Sequence, residues 1–76
     1  MNQKLYSAEK ASELSGLGID TIKKFIELNA IIPMKDSQNN LFFNSFSIIR
    51  LKKISELLKK NLSKSEIIKE LDNRDF

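Results

Sequence analysis

Apolar and polar positions change period several times along the chain, and each change marks an element. Ile19, Ile22, Phe25 and Ile26 recur at spacings of three and four, with Asn29 a further candidate for that face. The spacing predicts an amphipathic helix whose other side carries Asp20, Thr21, Lys23, Lys24 and Glu27. Gly16 and Gly18, the only glycines, stand just before it, and Pro33, the only proline, just after. Two glycines this close predict a tight inter-helix turn, and Gly18 or Asp20 can cap the helix that follows. Upstream, Ser7 suits an N-cap and Glu9 suits the first turn. Ala8, Ala11, Leu14 and Leu5 are the apolar candidates for a first helix over about 8–14. Leu17 is expected to plug the angle between the two helices. A short helix, a glycine turn and a second helix make the layout of a helix-turn-helix.

Beyond the second helix, Ala30 to Met34 reads as a strand, Lys35 to Asn40 as a polar turn and Leu41 to Phe43 as a second strand, together a β-hairpin. A lone hairpin is marginal in water, so it must pack on the helices, with Ile31 or Ile32 and Phe43 as the packing residues. Asn44 or Ser45 then caps a third helix over about 45–60. Its stripe is Ile48, Leu51, Ile54, Leu57 and Leu58, with Phe46 and Ile49 extending towards the hairpin. Asn61 suits a left-handed C-terminal cap, and Ser63 with Glu66 forms a capping box that opens a fourth helix. Ile67, Ile68 and Leu71 turn back to the core, and the chain is expected to fray from Asp72 to Phe76. The predicted fold class is mainly α: a winged helix-turn-helix, four helices with a two-stranded β-hairpin wing between helices 2 and 3. With 76 residues, one domain is expected over 1–76. The helix-turn-helix takes about 7–29, the wing about 30–43, and helices 3 and 4 about 45–72.

Composition narrows the chemistry. The chain has neither cysteine nor histidine, which excludes disulfides and any metal site needing thiolate or imidazole. No Gly-rich phosphate loop is present, and neither an enzyme nor a cofactor is expected. No apolar run approaches the ~18 residues needed to span a membrane, and the N-terminus lacks a signal-peptide pattern. A cytoplasmic, nucleoid-associated protein is expected. Thirteen basic residues against 10 acidic give a net charge of +3, which permits nucleic-acid binding without requiring it. Eleven of the bases are lysine. Lysine meets phosphate as a point charge, whereas bidentate guanine reading favours arginine. Together with several Asn and Gln, this favours an A·T-rich target.

The second helix, with one buried face and Thr-Lys-Lys near its exposed start, is built like a groove-reading helix. Taken alone, Lys23 and Lys24 would be solvated charge; their place after Thr21 in a helix-turn-helix points to DNA. Thr21 is open between a phosphate or thymine-methyl contact and simply opening the helix. Asp20 would repel phosphate and is assigned to capping. Lys35, Gln38, Asn39 and Asn40 are most simply a hydrophilic turn. If the wing touches DNA, Lys35 meets phosphate and an amide enters the minor groove. Lys10 is a weaker phosphate candidate, and Tyr6 a packing residue. From Arg50 to Lys64 there are six basic residues and one acidic. Arg50 lies near the wing, within reach of the DNA backbone. The rest read as a solvated helix face, too far from the groove for more than long-range attraction.

Tyr6-Ser7-Ala8, Ser15-Gly16 followed by Ile19, Thr21-Ile22-Lys23-Lys24-Phe25, Phe43-Asn44-Ser45 and Asn61-Leu62-Ser63 together resemble the DNA-binding domain of MerR-type regulators, from Tyr6 to about Leu71. The resemblance implies that the second helix enters the major groove. Lys23 falls on an arginine of the family's helix, Lys24 and Phe25 on its paired tyrosines, and Asn29 where a glycine ends it. Asn39-Asn40-Leu41 stands where the family's wing carries a Tyr-Arg pair. Family regulators continue into a long dimerising helix and a ligand-sensing domain, whereas this chain stops at Phe76; it resembles the small one-domain relatives, excisionases among them, or else the N-terminal fragment of a longer protein. No small-molecule effector domain is expected in this chain. The expected function is sequence-directed binding of double-stranded DNA, as a small transcriptional regulator or architectural factor, with a homodimer or cooperative assembly offsetting the small footprint of one module. The other reading is a protein-interaction adaptor that uses the fold without reading DNA and docks through Phe42 or Phe76.

Overall fold

A computed structural model describes residues 4–72. Arg74 and Phe76, and with them the fraying expected beyond Asp72, lie outside the described residues. The element order is β1 (Tyr6–Ser7), α1 (Ala8–Ser15), α2 (Ile19–Glu27), β2 (Met34–Lys35), β3 (Leu41–Phe43), α3 (Ser45–Lys59) and α4 (Lys64–Asp72). The four helices stand where the periodicity puts them, and with the sheet they make a mainly helical winged helix-turn-helix.

Each helix start is set by a short polar side chain or a glycine. The Ser7 hydroxyl accepts from the Lys10 N–H at 3.1 Å and the Asn44 carbonyl from the Ser47 N–H at 2.9 Å. Gly18, rather than Asp20, is the N-cap of α2. The capping box is complete: the Ser63 N–H donates to the Glu66 carboxylate at 2.9 Å, and the Glu66 N–H to the Ser63 hydroxyl at 3.2 Å.

Helix ends depend on left-handed residues, and two of them are asparagines. Gly16 ends α1 at φ 79°, while Asn29 and Asn61 follow α2 and α3 at φ 62° and 64°. After α2 the Ala30 N–H reaches the Phe25 carbonyl and the Asn29 N–H the Ile26 carbonyl. The same pair of bonds recurs after α3, from Leu62 to Leu57 and from Asn61 to Leu58. Both are Schellman motifs, which need a positive φ at the residue after the cap. Asn29 is therefore an exposed terminator, not part of the apolar face. Asn29→Val is expected to destabilise the domain by about 1–2 kcal/mol, because a β-branched side chain crowds the left-handed backbone that the short polar Asn tolerates, whereas Asn29→Gly is tolerated; urea unfolding of both variants measures the difference.

The core joins Ala11 and Leu17 to Ile22 and Phe25 of α2, Ile31, Phe43, the Ile48–Leu51–Ile54–Leu57 stripe of α3, and Ile67 with Leu71 of α4. Leu17 plugs the turn as expected. Two apolar expectations for α1 fail, because Leu5 and Leu14 are substantially exposed. Small residues take the inward positions instead. Ala11 and Ser15 are buried, and a Cβ on Gly16 would stand 3.7 Å from the Ser55 hydroxyl, so α1 and α3 approach closely. The Ser15 hydroxyl is satisfied in place by the Leu17 N–H at 3.2 Å.

The sheet departs from the expected hairpin in two ways. It has three strands in the order β1-β3-β2, with Tyr6 opposite Phe43 and Met34 opposite Phe42. The extra strand, β1, is two residues long, too short to show alternation in sequence, and its partners Phe43 and Phe42 lie far along the chain from Tyr6 and Ser7. The strand expected over Ala30–Met34 shrinks to Met34–Lys35. The Ala30 N–H is taken by the Schellman bond and its carbonyl by the Arg50 Nε–H at 3.0 Å, while Pro33 has no N–H to give. Of the paired candidates, Ile31 is buried and Ile32 faces water. Phe46 and Ile49 do not extend the core stripe; both are exposed on the outer side of α3.

Candidate nucleic-acid interface

Burial of Ile22 and Phe25 fixes the rotation of α2. Lys23 and Lys24 are then both exposed and Thr21 half-buried. Adjacent residues on a helix point about 100° apart, so the two lysines do not act as a pair. Lys23 enters a groove of about 380 Å³ together with Asn39, Asn40 and Leu41 of the wing and Ser7–Glu9 at the start of α1. Lys24 enters a second groove, about 270 Å³, with Asp20 and Thr21 and, from across it, Leu58 and Lys64. The helix is thus a ridge between two concavities, each with one of its own lysines and polar groups from a different element.

Lys64 is the residue the sequence reading missed. Position 64 is 40 residues from Lys24, and counting along α3 put its charge out of reach; the turn at Asn61 brings the start of α4 back beside α2. No periodicity in the sequence carries that return.

The wing tip is held by one carboxylate. Asp36 Oδ1 accepts from the N–H groups of Gln38 at 2.8 Å and Asn40 at 2.9 Å, and Oδ2 accepts from the Asn40 side-chain amide at 3.1 Å. Asn39 closes the turn in the left-handed region at φ 65°. The structure brings Asn39 and Asn40 together with Lys23, but the Asn40 amide is engaged with Asp36. Gln38 and Lys35 are exposed on the same hairpin. The Asn40 backbone and side-chain amides, then the Gln38 N–H, hold the Asp36 carboxyl below the usual aspartate range. A depressed folded-state value means that the turn is at full strength above the unfolded value and loosens as the pH falls through the folded one. Amide resonances of Gln38 and Asn40 are therefore expected to titrate together below about pH 4, and Asp36→Asn, which removes the charge, should abolish the titration.

The remaining candidates are less open to a partner. Lys10 Nζ lies 3.1 Å from Glu13 on its own helix. Arg50, half-buried, ties α3 to the end of α2 through the Ala30 carbonyl. Among the described residues no group of His, Cys, Asp and Glu could hold a metal ion, and no helix is long and apolar enough to cross a membrane.

The model of the MerR HTH family of regulatory proteins matches residues 6–74. The chain belongs to the MerR HTH family. Its members are DNA-binding transcription regulators rather than enzymes, and double-stranded DNA is the partner that membership implies. In this MerR-family domain the match starts at β1 and runs through α4, so both grooves beside α2 lie within it. No curated protein matches the chain.

Proposed function

We propose that this MerR-family chain is a sequence-directed DNA-binding module of the regulatory or excisionase kind, working in the cytoplasm on the nucleoid. It sets α2 in the major groove and lays the wing on the flanking backbone or minor groove. The observation that carries the reading is the ridge between two grooves. A helix is about 10–12 Å across and the major groove about 12 Å wide, so a seated α2 leaves a sugar–phosphate strand on either side. Lys23 meets one strand, with Lys35, Gln38 and Asn39 of the wing beside it. Lys24, Thr21 and Lys64 meet the other. Asn40 shapes the wing tip through Asp36, while Arg50 and Lys10 act from the periphery, Arg50 mainly by fixing α3 against the end of α2. Asp20 stays at the helix start, where its charge suits the dipole.

Lysine-dominated contacts position the protein and carry little base information, so the preference is expected to be modest and A·T-leaning. Fluorescence anisotropy with a mixed-sequence duplex tests the reading. About four lysine–phosphate contacts predict a loss of roughly 100-fold in affinity between 50 and 200 mM salt. Absence of binding at 50 mM salt would overturn it and favour the adaptor reading.

A further inference from the structure

The open side of α2 carries acids as well as lysines. At about 100° per residue, Lys23 lies about 60° to one side of Asp20 and Lys24 about 40° to the other. Asp20 therefore stands on the crest of the ridge, with a lysine on either flank, and all three are exposed. Its carboxylate is not engaged. Gly18 caps the helix without a side-chain bond, and among the described residues Asp20 has no hydrogen-bond or ion-pair partner for its side chain. Lys24, four residues on, is placed for an ion pair with it and makes none. The carboxylate nonetheless lines the groove that holds Thr21, Lys24 and Lys64. The helix dipole favours an acid in the first turn at any rotation about the axis, so it does not explain an acid on the crest. Beside a phosphate strand such an acid costs affinity.

We propose that Asp20 is a specificity-determining residue of this surface, its carboxylate accepting the exposed N4–H of one cytosine in the major groove. The inference rests on the DNA-binding reading and adds a base to it. Lysines that reach the strands on either side leave the shorter Asp20 facing the base edges between them. The N-terminal residues of a groove-reading helix are those that contact bases, and Asp20 is the second residue of α2. The base follows from the chemistry of an acceptor-only group. Guanine offers N7 and O6 and thymine O4, all acceptors that repel a carboxylate. Adenine sets an N7 acceptor beside its N6 amine, whereas cytosine presents an amine alone. The lysines thus supply affinity for any duplex, and Asp20 withholds part of it unless a cytosine is in place. In an A·T-leaning site the expected signature is one C·G pair of fixed orientation.

Selection from a randomised duplex pool at low salt, followed by anisotropy on single-base variants of the selected site, tests this. The proteins are wild type, Asp20→Ala, Asp20→Asn and Glu27→Gln. Both positions are exposed, so the fold should persist, and circular dichroism checks that it does. Glu27 is the control: it carries the same charge within about 20° of the same direction, yet lines neither groove. Wild type should select a cytosine at one position and bind the other bases there roughly 10-fold more weakly. Asp20→Ala should lose that preference and bind mixed-sequence duplex more tightly than wild type. Asp20→Asn should move the preference to adenine, which pairs with an amide through N6 and N7. Glu27→Gln should keep the cytosine. No cytosine preference in the wild type, one that Asp20→Ala retains, or one that Glu27→Gln also loses overturns the assignment and leaves DNA binding standing. Failure of the wild type to bind any duplex strikes the DNA-binding reading, and the assignment with it.

Discussion

A Lys23→Ala/Lys24→Ala double variant is expected to bind duplex DNA roughly 10- to 100-fold more weakly at 0.1 M salt, and to lower the slope of log affinity against log salt by about two. Both lysines are exposed on α2, so neither substitution opens a cavity, and the fold should be unchanged. The geometry adds a sharper requirement. Because Lys23 shares its groove with the wing and Lys24 shares its groove with Lys64, the two single substitutions should be additive, as independent sites are. Lys24→Ala and Lys64→Ala act on one groove and should couple. A cycle in which Lys23 and Lys24 couple strongly while Lys24 and Lys64 do not would contradict the placement of two strands on either side of α2. Titration of wild type, the three single variants and the Lys23/Lys24 and Lys24/Lys64 double variants against one duplex at three salt concentrations supplies every arm.

The local part of this site was legible in sequence. The spacing of Ile19, Ile22, Phe25 and Ile26 placed α2, and the glycines placed the turn, because both signals lie within a few residues of what they specify. The capping box at Ser63 and the left-handed Asn61 were readable for the same reason. Long-range pairings left no such trace. Strand β1 exists because Tyr6 and Ser7 meet Phe43 and Phe42, and two residues cannot display a period. The strand drawn through Ile31 and Ile32 was lost to hydrogen bonds of Ala30, whose N–H is taken by the Phe25 carbonyl just upstream and whose carbonyl is taken by Arg50 from α3. In α3 the repeat of three and four runs on through Phe46 and Ile49, yet the helix buries only one side, and among the described residues nothing covers those two. Lys24 and Lys64 illustrate the same limit in the site itself: exposure could be read from either helix alone, but adjacency only from the turn between α3 and α4.

Phe43→Ala is expected to leave the domain at the edge of unfolding, and Phe42→Ala to leave it folded. Phe43 is fully buried in the central strand, where it joins the wing to the helices. Emptying such a site costs about 3–5 kcal/mol, against a total stability of about 4–11 kcal/mol for a chain of this length. Phe42 points to the other side of the sheet, half-buried, at the edge of the groove that holds Lys23. Its truncation should cost about 1 kcal/mol and act on DNA affinity through the wing. Urea denaturation separates the two effects, because a one-residue slip of β3 would exchange them. Linkage then ties the core to the function: saturating duplex at 100 times its dissociation constant adds about 2.7 kcal/mol, enough to refold much of the Phe43→Ala population. Recovery of helical signal on adding duplex would show that the reading surface survives the cavity. Without recovery, the wing and α2 would have to be positioned by Phe43 itself, so that the hydrophobic contact under the sheet sets the geometry of the groove above it.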